Sequence, residues 1–368
     1  MLVLPPLSLY IHYPWCVKKC PYCDFNSHEG NNRDGYITAL LNDLDQELSY
    51  VQNRAIHSIF IGGGTPSLMS EKDLSKLFEG LRLRLNFDDD IEITLETNPG
   101  TFEIEKFKAF KQIGINRLSI GVQSFNDQNL KTLGRIHSAH EALHACIQAG
   151  KIFDNFNIDL MYGLQAQTAD ECLSDLQQAL DLNPTHISFY QLTIEPNTLF
   201  AKFPPVLPKE DEIFSMGEAG VNLLEQHEFS RYEVSAFGKT PSKHNINYWE
   251  FGDYIGIGAG AHGKITLAQE QKIIRTLKSK APKDYIENCK KTTEVIENTT
   301  FEFMLNALRL KKGFDFDLFE SHTGQSIKTI EAHLAKAQVL DLLIMKGGRV
   351  RPSEKGYNFL NDLQAIFL

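Results

Sequence analysis

The chain has 368 residues, of which 42% are hydrophobic and 23% charged, the proportions of an ordinary globular protein. This length allows one large domain and a smaller one, each with an apolar core. A formal net charge of −10 argues against a nucleic-acid-binding protein, whose surface needs an excess of basic residues. The apolar N-terminus contains two prolines and no basic segment, so we expect neither a signal peptide nor a membrane span there.

Three of the six cysteines lie close together near the start of the chain. Cys16, Cys20 and Cys23 have the spacing C-x3-C-x2-C and directly follow an apolar segment that we interpret as a strand. The other three are scattered, which gives no disulfide framework and favours a reducing compartment, so we expect a cytoplasmic protein. These scattered cysteines are Cys146, Cys172 and Cys289.

The cysteine loop predicts a metal centre, because thiolates are soft ligands that favour iron–sulfur clusters or zinc. A cubic cluster held by protein alone takes four cysteines. This loop supplies three, which would leave one iron open to a small molecule. The alternative is a zinc site completed by His12 or His28, although structural zinc sites usually add a second pair of ligands, and none follows in the sequence.

Short β-rich segments alternate with amphipathic segments as far as residue 200. The predicted strands are Ser8–His12, Ser58–Ile61, Ile91–Glu96, Arg117–Val122, Asn155–Met161 and His186–Leu192. The predicted helices are Asp34–Val51, Glu71–Leu85, Phe102–Ile113, Ala139–Gln148 and Ala169–Leu182, with start residues Ser70, Ser138 and Thr168 and stop residues Gly114 and Gly150. This order predicts an α/β fold of parallel βα units, and six units make a partial (β/α)6 barrel.

Polar residues end or follow these strands, where a buried apolar strand would not need them. Residues that do chemistry in a barrel gather at the C-terminal ends of its strands. A glycine run at 62–64 follows the second strand, and its bare backbone can approach a ligand closely. We therefore expect one site formed by the cysteine loop and the strand ends, with the candidates Gly64, Thr65, Glu96, Asn98, Gln123, Asp159, Tyr190 and Gln191.

The pattern changes after prolines at 204, 205 and 208. A helix is predicted for Lys209–Gln226, and a second glycine segment at 256–263 lacks the strand–turn–helix context of a dinucleotide-binding loop. A basic run from Lys264 to Lys291 follows, which we interpret as a solvated face, with contact to an anionic membrane surface or an acidic partner as the alternative. From Thr299 the pattern predicts helices and a hairpin, a small winged-helix-like α+β domain. We therefore divide the chain into residues 1–235, 236–298 and 299–368.

The cysteine loop resembles that of the radical S-adenosylmethionine (SAM) superfamily, in which a partial barrel carries the site. The resemblance implies a 4Fe–4S cluster bound by Cys16, Cys20 and Cys23, with SAM chelating the open iron. It also implies an electron donor, because one electron from the cluster cleaves SAM to a 5′-deoxyadenosyl radical.

The same resemblance implies SAM-binding roles for residues near the strand ends. Gly64 and Thr65 would line the amino end of SAM, and Glu96 would pair with its cationic part. Arg135 would neutralise the SAM carboxylate through a charge-assisted pair. The other residues implied to contact SAM are Tyr10, together with Gln123 and Asp159 at its ribose and adenosyl portion.

Over nearly its whole length the chain is similar to the HemN/HemW branch of this superfamily. The matching segments are GGGTPS, ETNPG, IGVQSF, Leu133-Gly-Arg135, IDLMYGL, HISFYQLTIEPNTLF and the C-terminal tail. The branch has two functional classes. HemN-type proteins are oxygen-independent coproporphyrinogen III dehydrogenases, which decarboxylate two propionates by radical hydrogen abstraction. HemW-type proteins are chaperones that bind heme and deliver it to acceptor proteins.

Three features favour the chaperone class. Phe25 stands where HemN-type proteins have another cysteine, and Cys16 leaves no room for their N-terminal extension. The segment His244-Asn-x-x-Tyr248-Trp249 matches the HNxxYW segment of HemW-type proteins. We expect His244 to be an axial ligand of heme beside covering aromatic rings, and we expect no coproporphyrinogen III turnover. An ordinary structural role is the alternative for His244, and a radical enzyme of undefined chemistry is the alternative for the chain.

Overall fold

A twelve-stranded mixed sheet organises the larger part of the protein in the computed structural model, which describes residues 1–30 and 33–368. Six parallel strands form its centre in chain order, as the sequence predicts. They are β1 (Leu7–Tyr13), β2 (Ile56–Gly63), β3 (Phe87–Thr97), β4 (Arg117–Gln123), β5 (Phe156–Tyr162) and β6 (His186–Gln191). The α/β class and the six-stranded parallel wall are therefore confirmed.

Six strands from later in the chain extend this wall at both ends. They are β7 (Ser230–Glu233), β8 (Ala236–Gly238), β9 (Asp253–Ile257), β10 (His262–Leu267), β11 (Lys272–Lys278) and β12 (Lys291–Val295). The order across the sheet is β12-β11-β10-β9-β1-β2-β3-β4-β5-β6-β8-β7. β9 pairs in parallel with β1, which adds a seventh parallel strand, whereas the other five pair antiparallel. Because β7 and β12 are the two edges of the sheet, the barrel is open.

Helices connect the parallel strands and form most of the C-terminal unit. Those in the described residues are α1 (Tyr36–Glu47), α2 (Glu71–Arg82), α3 (Ile104–Ile113), α4 (Asp127–Thr132), α5 (Ala139–Ile152), α6 (Ala169–Asp181), α7 (Leu199–Lys202), α8 (Glu210–Gln226), α9 (Lys243–Trp249), α10 (Pro282–Asn288), α11 (Thr299–Ala307), α12 (Phe316–Thr323), α13 (Glu331–Val339), α14 (Glu354–Asn358) and α15 (Leu360–Ala365). Within this set, no helix combines the length and apolar character needed to cross a membrane.

Side-chain caps fix the start of three connecting helices, as predicted. Each capping hydroxyl accepts a hydrogen bond from a backbone N–H of the first turn, in the order Ser70, Ser138 and Thr168. Gly114 ends α3 with a φ of 132°, also as predicted. The stop predicted at Gly150 is wrong, because α5 continues to Ile152. A Cβ at position 150 would make ordinary van der Waals contact with the Phe156 ring, so packing does not require glycine there.

The parallel strands alternate between apolar and polar side chains, which separates their two faces. The apolar face packs against the helices and includes Leu9, Ile59, Leu118 and Ile158. The other face lines the inside of the open barrel, here called the polar interior. Its residues are Ser8, Tyr10, His12, Ser58, Glu92, Thr94, Glu96, Arg117, Ser119, Asn157, Asp159, His186, Ser188 and Tyr190. This corrects the expectation that buried barrel strands are apolar throughout.

The C-terminal unit has its own apolar core and confirms the predicted winged-helix-like α+β domain. It combines α11 to α15 with a three-stranded sheet whose hairpin turns at Gly347 and Gly348. The strands of this sheet are β13 (Phe314–Asp315), β14 (Leu343–Lys346) and β15 (Arg349–Pro352). Leu2, from the start of the chain, is buried in the same core, and the Val3 N–H donates to the Ser321 carbonyl at 2.9 Å.

Much of the basic run at 264–291 forms ion pairs within the fold. Lys264 pairs with Asp253 at 3.0 Å, and Lys278 pairs with Asp43 and Glu47 at 2.5 and 2.6 Å. The expectation of a solvated face is therefore wrong for Lys264 and Lys278, whose charges are neutralised in the interior.

The buried Asp253 pair should contribute strongly to stability. Burial disfavours the charge of this carboxylate, but Lys264 and Arg54 hold its pKa below the usual value. Asp253→Asn would leave Lys264 buried without an opposing charge, so we expect the free energy of unfolding to fall by about 3–5 kcal/mol. Urea denaturation at neutral pH measures this difference.

The matched control is Glu105→Gln, which removes an exposed pair with Lys108 and should change stability little. An Asp253→Asn protein as stable as the wild type would contradict the role of this pair.

Candidate cofactor site

The cysteine loop lies at the edge of the sheet where all seven parallel strands end. Two backbone hydrogen bonds of 2.8 Å attach it to the glycine turn after β2, from Gly64 N–H to the Tyr13 carbonyl and from Thr65 N–H to the Trp15 carbonyl. A Cβ on Gly64 would come within 2.6 Å of the Trp15 carbonyl oxygen, so this approach requires glycine. The predicted neighbours at the strand ends are therefore in contact.

Asn26, which the sequence did not single out, fastens the far side of the loop. Its side-chain amide donates to the Ala259 carbonyl at 2.9 Å and to the Lys280 carbonyl at 2.8 Å. The His12 ring bonds to the Asn26 carbonyl at 2.9 Å. The second glycine segment thus forms one wall of the loop, which explains its small residues without a nucleotide.

The three cysteines are half-buried free thiols in polar surroundings. An Arg135 guanidinium nitrogen lies 3.7 Å from Cys20 Sγ, and the Ser27 hydroxyl lies 3.8 Å from Cys23 Sγ. Burial raises the pKa of both Cys16 and Cys23, so a cation would be needed to favour the thiolates. In the described part of the chain, no three His, Cys, Asp or Glu side chains are arranged to hold a metal ion.

Arg135 is placed between the cysteine loop and β4. It donates to the Gly121 carbonyl at 2.5 Å and to the Tyr22 hydroxyl at 3.4 Å. Its Nε–H is buried and has no acceptor among the described residues. A fixed guanidinium with a free donor beside a thiol suits a bound anion, so Arg135 fits the carboxylate role implied for it.

Glu96 and the glycine turn form a second contact at the strand ends. The Gly63 N–H donates to Glu96 Oε2 at 3.0 Å, and a Cβ on Gly62 would collide with that carboxylate at 2.9 Å. Burial and the nearby Asp159 raise the pKa of Glu96 to about 8. A cationic group bound here would favour the ionised carboxylate.

The remaining candidates for SAM contact face the same polar interior. The Tyr190 hydroxyl donates to Gln123 Oε1 at 2.7 Å, and Gln123 adopts a φ of 74°. Asp159 accepts from Asn157 at 2.7 Å, and burial raises its pKa. The Tyr10 hydroxyl bonds to a His12 ring nitrogen at 2.9 Å.

His244 lies toward the N-terminal end of the polar interior, with the Phe60 ring between it and Tyr10. Its backbone N–H donates to Glu92 at 3.2 Å, and its ring stacks on Phe60 with the centroids 4.7 Å apart. Burial lowers the pKa of His244 to about 4, so the imidazole is neutral. Its Nδ1 is buried and lacks a partner in the described chain.

Several polar residues that the sequence analysis passed over hold α9 in this position. Glu92 accepts from Ser242 Oγ at 2.8 Å and lies 3.9 Å from Arg117. His186 bonds to Asn157 at 2.7 Å and to the Tyr232 hydroxyl at 2.8 Å. The polar residues on the strands alternate with apolar neighbours at a period of two, and this pattern could have predicted that they share one face of the sheet.

Two family models match the chain. The model described as the radical SAM superfamily matches residues 10–179, and the model described as the HemN C-terminal domain matches residues 297–359. Among solved structures, coproporphyrinogen III oxidase (HemN) from Escherichia coli superposes with a TM-score of 0.83 over 99% of this chain and 90% of that chain. At 22% sequence identity, this likeness shows the fold alone.

Relatives named heme chaperone HemW match at higher identity. The protein from Escherichia coli (strain K12) is 46% identical over 378 residues and covers all of both chains. The protein from Haemophilus influenzae is 46% identical over 99% of this chain and 98% of its own. The protein from Bacillus subtilis (strain 168) is 38% identical over 70% of this chain and 71% of its own. The chain therefore belongs to the HemW family within the radical SAM superfamily.

Proposed function

We propose that this protein binds heme and passes it to acceptor proteins. The observation that carries the proposal is the full-length identity of 46% to a relative named heme chaperone HemW. The HNxxYW helix supports it, because His244 presents a neutral imidazole whose Nδ1 has no partner in the described chain. A neutral imidazole nitrogen is an ordinary axial ligand of heme iron. Tyr248 and Tyr254 would give aromatic cover, their hydroxyls lying 3.5 Å apart.

The proposed cofactors are a 4Fe–4S cluster held by Cys16, Cys20 and Cys23 and a SAM molecule on its open iron. When bound, this pair supplies one-electron chemistry. Arg135 would bind the carboxylate of SAM, Glu96 would pair with its cationic part, and the glycine turn of Gly64 and Thr65 would leave room for its amino end. The rest of the site would be lined by Tyr10, Gln123 and Asp159.

The partners proposed are the heme acceptors and a protein that donates electrons to the cluster. We place the protein in the cytoplasm, where a reducing milieu keeps exposed thiols free. Coproporphyrinogen III dehydrogenase activity is not proposed, because Phe25 replaces a cysteine of the HemN-type loop and its ring points outward, 58% exposed.

Loss of any one cysteine of the loop should prevent cluster assembly, because each would hold one iron. Anaerobic reconstitution of the wild type should give about four irons and four sulfides per chain. Cys16→Ser, Cys20→Ser and Cys23→Ser should each fall far below that, whereas Cys289→Ser, another half-buried thiol, should match the wild type. A wild-type protein that takes up one zinc and no sulfide would overturn the cluster.

Replacing Glu96 or Arg135 should weaken SAM binding without loss of the cluster. Glu96→Gln and Arg135→Ala should each cost about 1.5–3 kcal/mol, the range for a hydrogen bond to a charged group. Calorimetry on reconstituted protein measures this, with iron content as the control. Unchanged affinity in both variants would remove the assignment.

The wild type and Glu96→Gln should also differ in how their SAM affinity depends on pH. The pKa of about 8 means that Glu96 in the free protein is mostly protonated at pH 7, so a cation that pairs with it must release this proton. SAM affinity should therefore rise from pH 7 to pH 9 more steeply in the wild type than in Glu96→Gln. The ionisable groups of free SAM titrate equally in both experiments. The difference between the two curves of affinity against pH therefore reports on Glu96.

His244→Ala should abolish or shift the Soret band of bound heme. Iron–sulfide content and SAM affinity should stay at wild-type values, because the Phe60 ring lies between His244 and Tyr10 and no candidate for cluster or SAM binding hydrogen-bonds to His244 in the described residues. The matched control is His262→Ala, an exposed histidine whose loss should leave the band unchanged. If the control loses the band and His244→Ala keeps it, His262 is the ligand, and turnover of coproporphyrinogen III would overturn the chaperone function.

A further inference from the structure

A cavity of about 410 Å³ lies between the sheet and the C-terminal unit, outside the cofactor site. α9 and strands β9 to β11 form one side, and α11 and α15 form the other. Aromatic rings and basic side chains share its lining. They include Tyr248, Trp249, Tyr254, Lys264, Arg275 and Arg309.

Two hydrogen-bond donors at this cavity lack an acceptor. Trp249 Nε1 and Arg309 Nε are both buried, and neither has a partner in the described residues. The two groups are adjacent, because the Arg309 guanidinium lies 4.3 Å from the centroid of the Trp249 ring. Buried polar groups are normally hydrogen-bonded. Two adjacent donors without acceptors beside a cavity therefore indicate an acceptor supplied from outside the chain.

The charges around the cavity are balanced, and the Glu302 carboxylate is itself part of the lining. Each basic group already has an acidic partner within the fold: Arg309 pairs with Glu233 at 3.0 Å, Lys264 with Asp253 at 3.0 Å, and Arg275 with Glu302 at 2.6 Å. These pairs fix the basic groups in place but leave two N–H groups unused. A single carboxylate, with two acceptor oxygens, would satisfy both donors beside a guanidinium.

α9 connects this cavity to the proposed heme ligand. His244 and Tyr248 are four residues apart, so they share one face of the helix, and Tyr248 also lines the cavity. Trp249 follows His244 by five residues, a rise of about 7.5 Å along the helix axis and a rotation of about 140° around it, so the two side chains leave different faces of α9. A porphyrin with its propionate side chains is long enough to reach from one to the other.

We propose that the cavity receives a propionate carboxylate of the porphyrin, with Trp249 Nε1–H and Arg309 Nε–H as its donors. This inference rests on the proposed heme function and deepens it. The carboxylate subsite would orient the macrocycle and distinguish a propionate-bearing porphyrin from an esterified one.

The test compares metal-free protoporphyrin IX with its dimethyl ester. Neither contains an iron that His244 could ligate, so the comparison isolates the carboxylates. Fluorescence titration of the wild type should show the diacid binding roughly tenfold more tightly, the effect of losing a charged hydrogen bond. Trp249→Phe keeps the ring and removes one donor, and Arg309→Lys keeps the charge beside Glu233 and removes the other. Each should reduce the preference several-fold while leaving the affinity for the ester unchanged.

Arg349→Lys, an exposed arginine that pairs with Asp315 in the same unit, is the matched control and should retain the full preference. Equal binding of diacid and ester by the wild type would overturn the carboxylate subsite. So would a preference that both donor variants retain. Heme binding that still depends on His244 would then leave the proposed function standing, whereas a wild type that binds no heme would overturn that function itself.

Discussion

A line of hydrogen bonds crosses the polar interior from Asp159 through Asn157, His186 and Tyr232 to Asn245. Asn157, Asp159 and His186 cannot turn outward, because the opposite face of their strands is packed against helices. Each must therefore be satisfied by a neighbouring strand or by α9, and this requirement fixes the register of the wall. The network thereby joins one cofactor candidate, Asp159, to the HNxxYW helix through Asn245.

A single strand, β3, contributes a carboxylate to each of the two candidate sites. Glu96 lies at the C-terminal end of β3, where the glycine turn and the cysteine loop meet. Glu92, four residues earlier on the same strand, accepts three hydrogen bonds from the first turn of α9 and its cap. One strand thus contributes to both sites. The Phe60 ring on β2 stacks on His244 and lies between the two sites.

Much of this arrangement could be predicted from the sequence, because it depends on local pattern. The six strands of the wall and the caps at Ser138 and Thr168 follow from periodicity and helix-start residues. Contacts between distant segments could not be predicted: β9 pairs with β1, and Asn26 finds its acceptors in residues far along the chain. The stop predicted at Gly150 failed because a glycine inside a helix looks the same in sequence as one that ends it.

The tie between Asn26 and its two carbonyl acceptors has a consequence for biosynthesis. These hydrogen bonds join residues 233 and 254 positions apart, so the ribosome releases the cysteines long before their supporting wall exists. Leu2 becomes buried even later, because the core that contains it is formed by the last residues to be synthesised. A nascent chain therefore carries the three thiols on an unsupported loop, and stable insertion of the proposed cluster would follow synthesis of the second half.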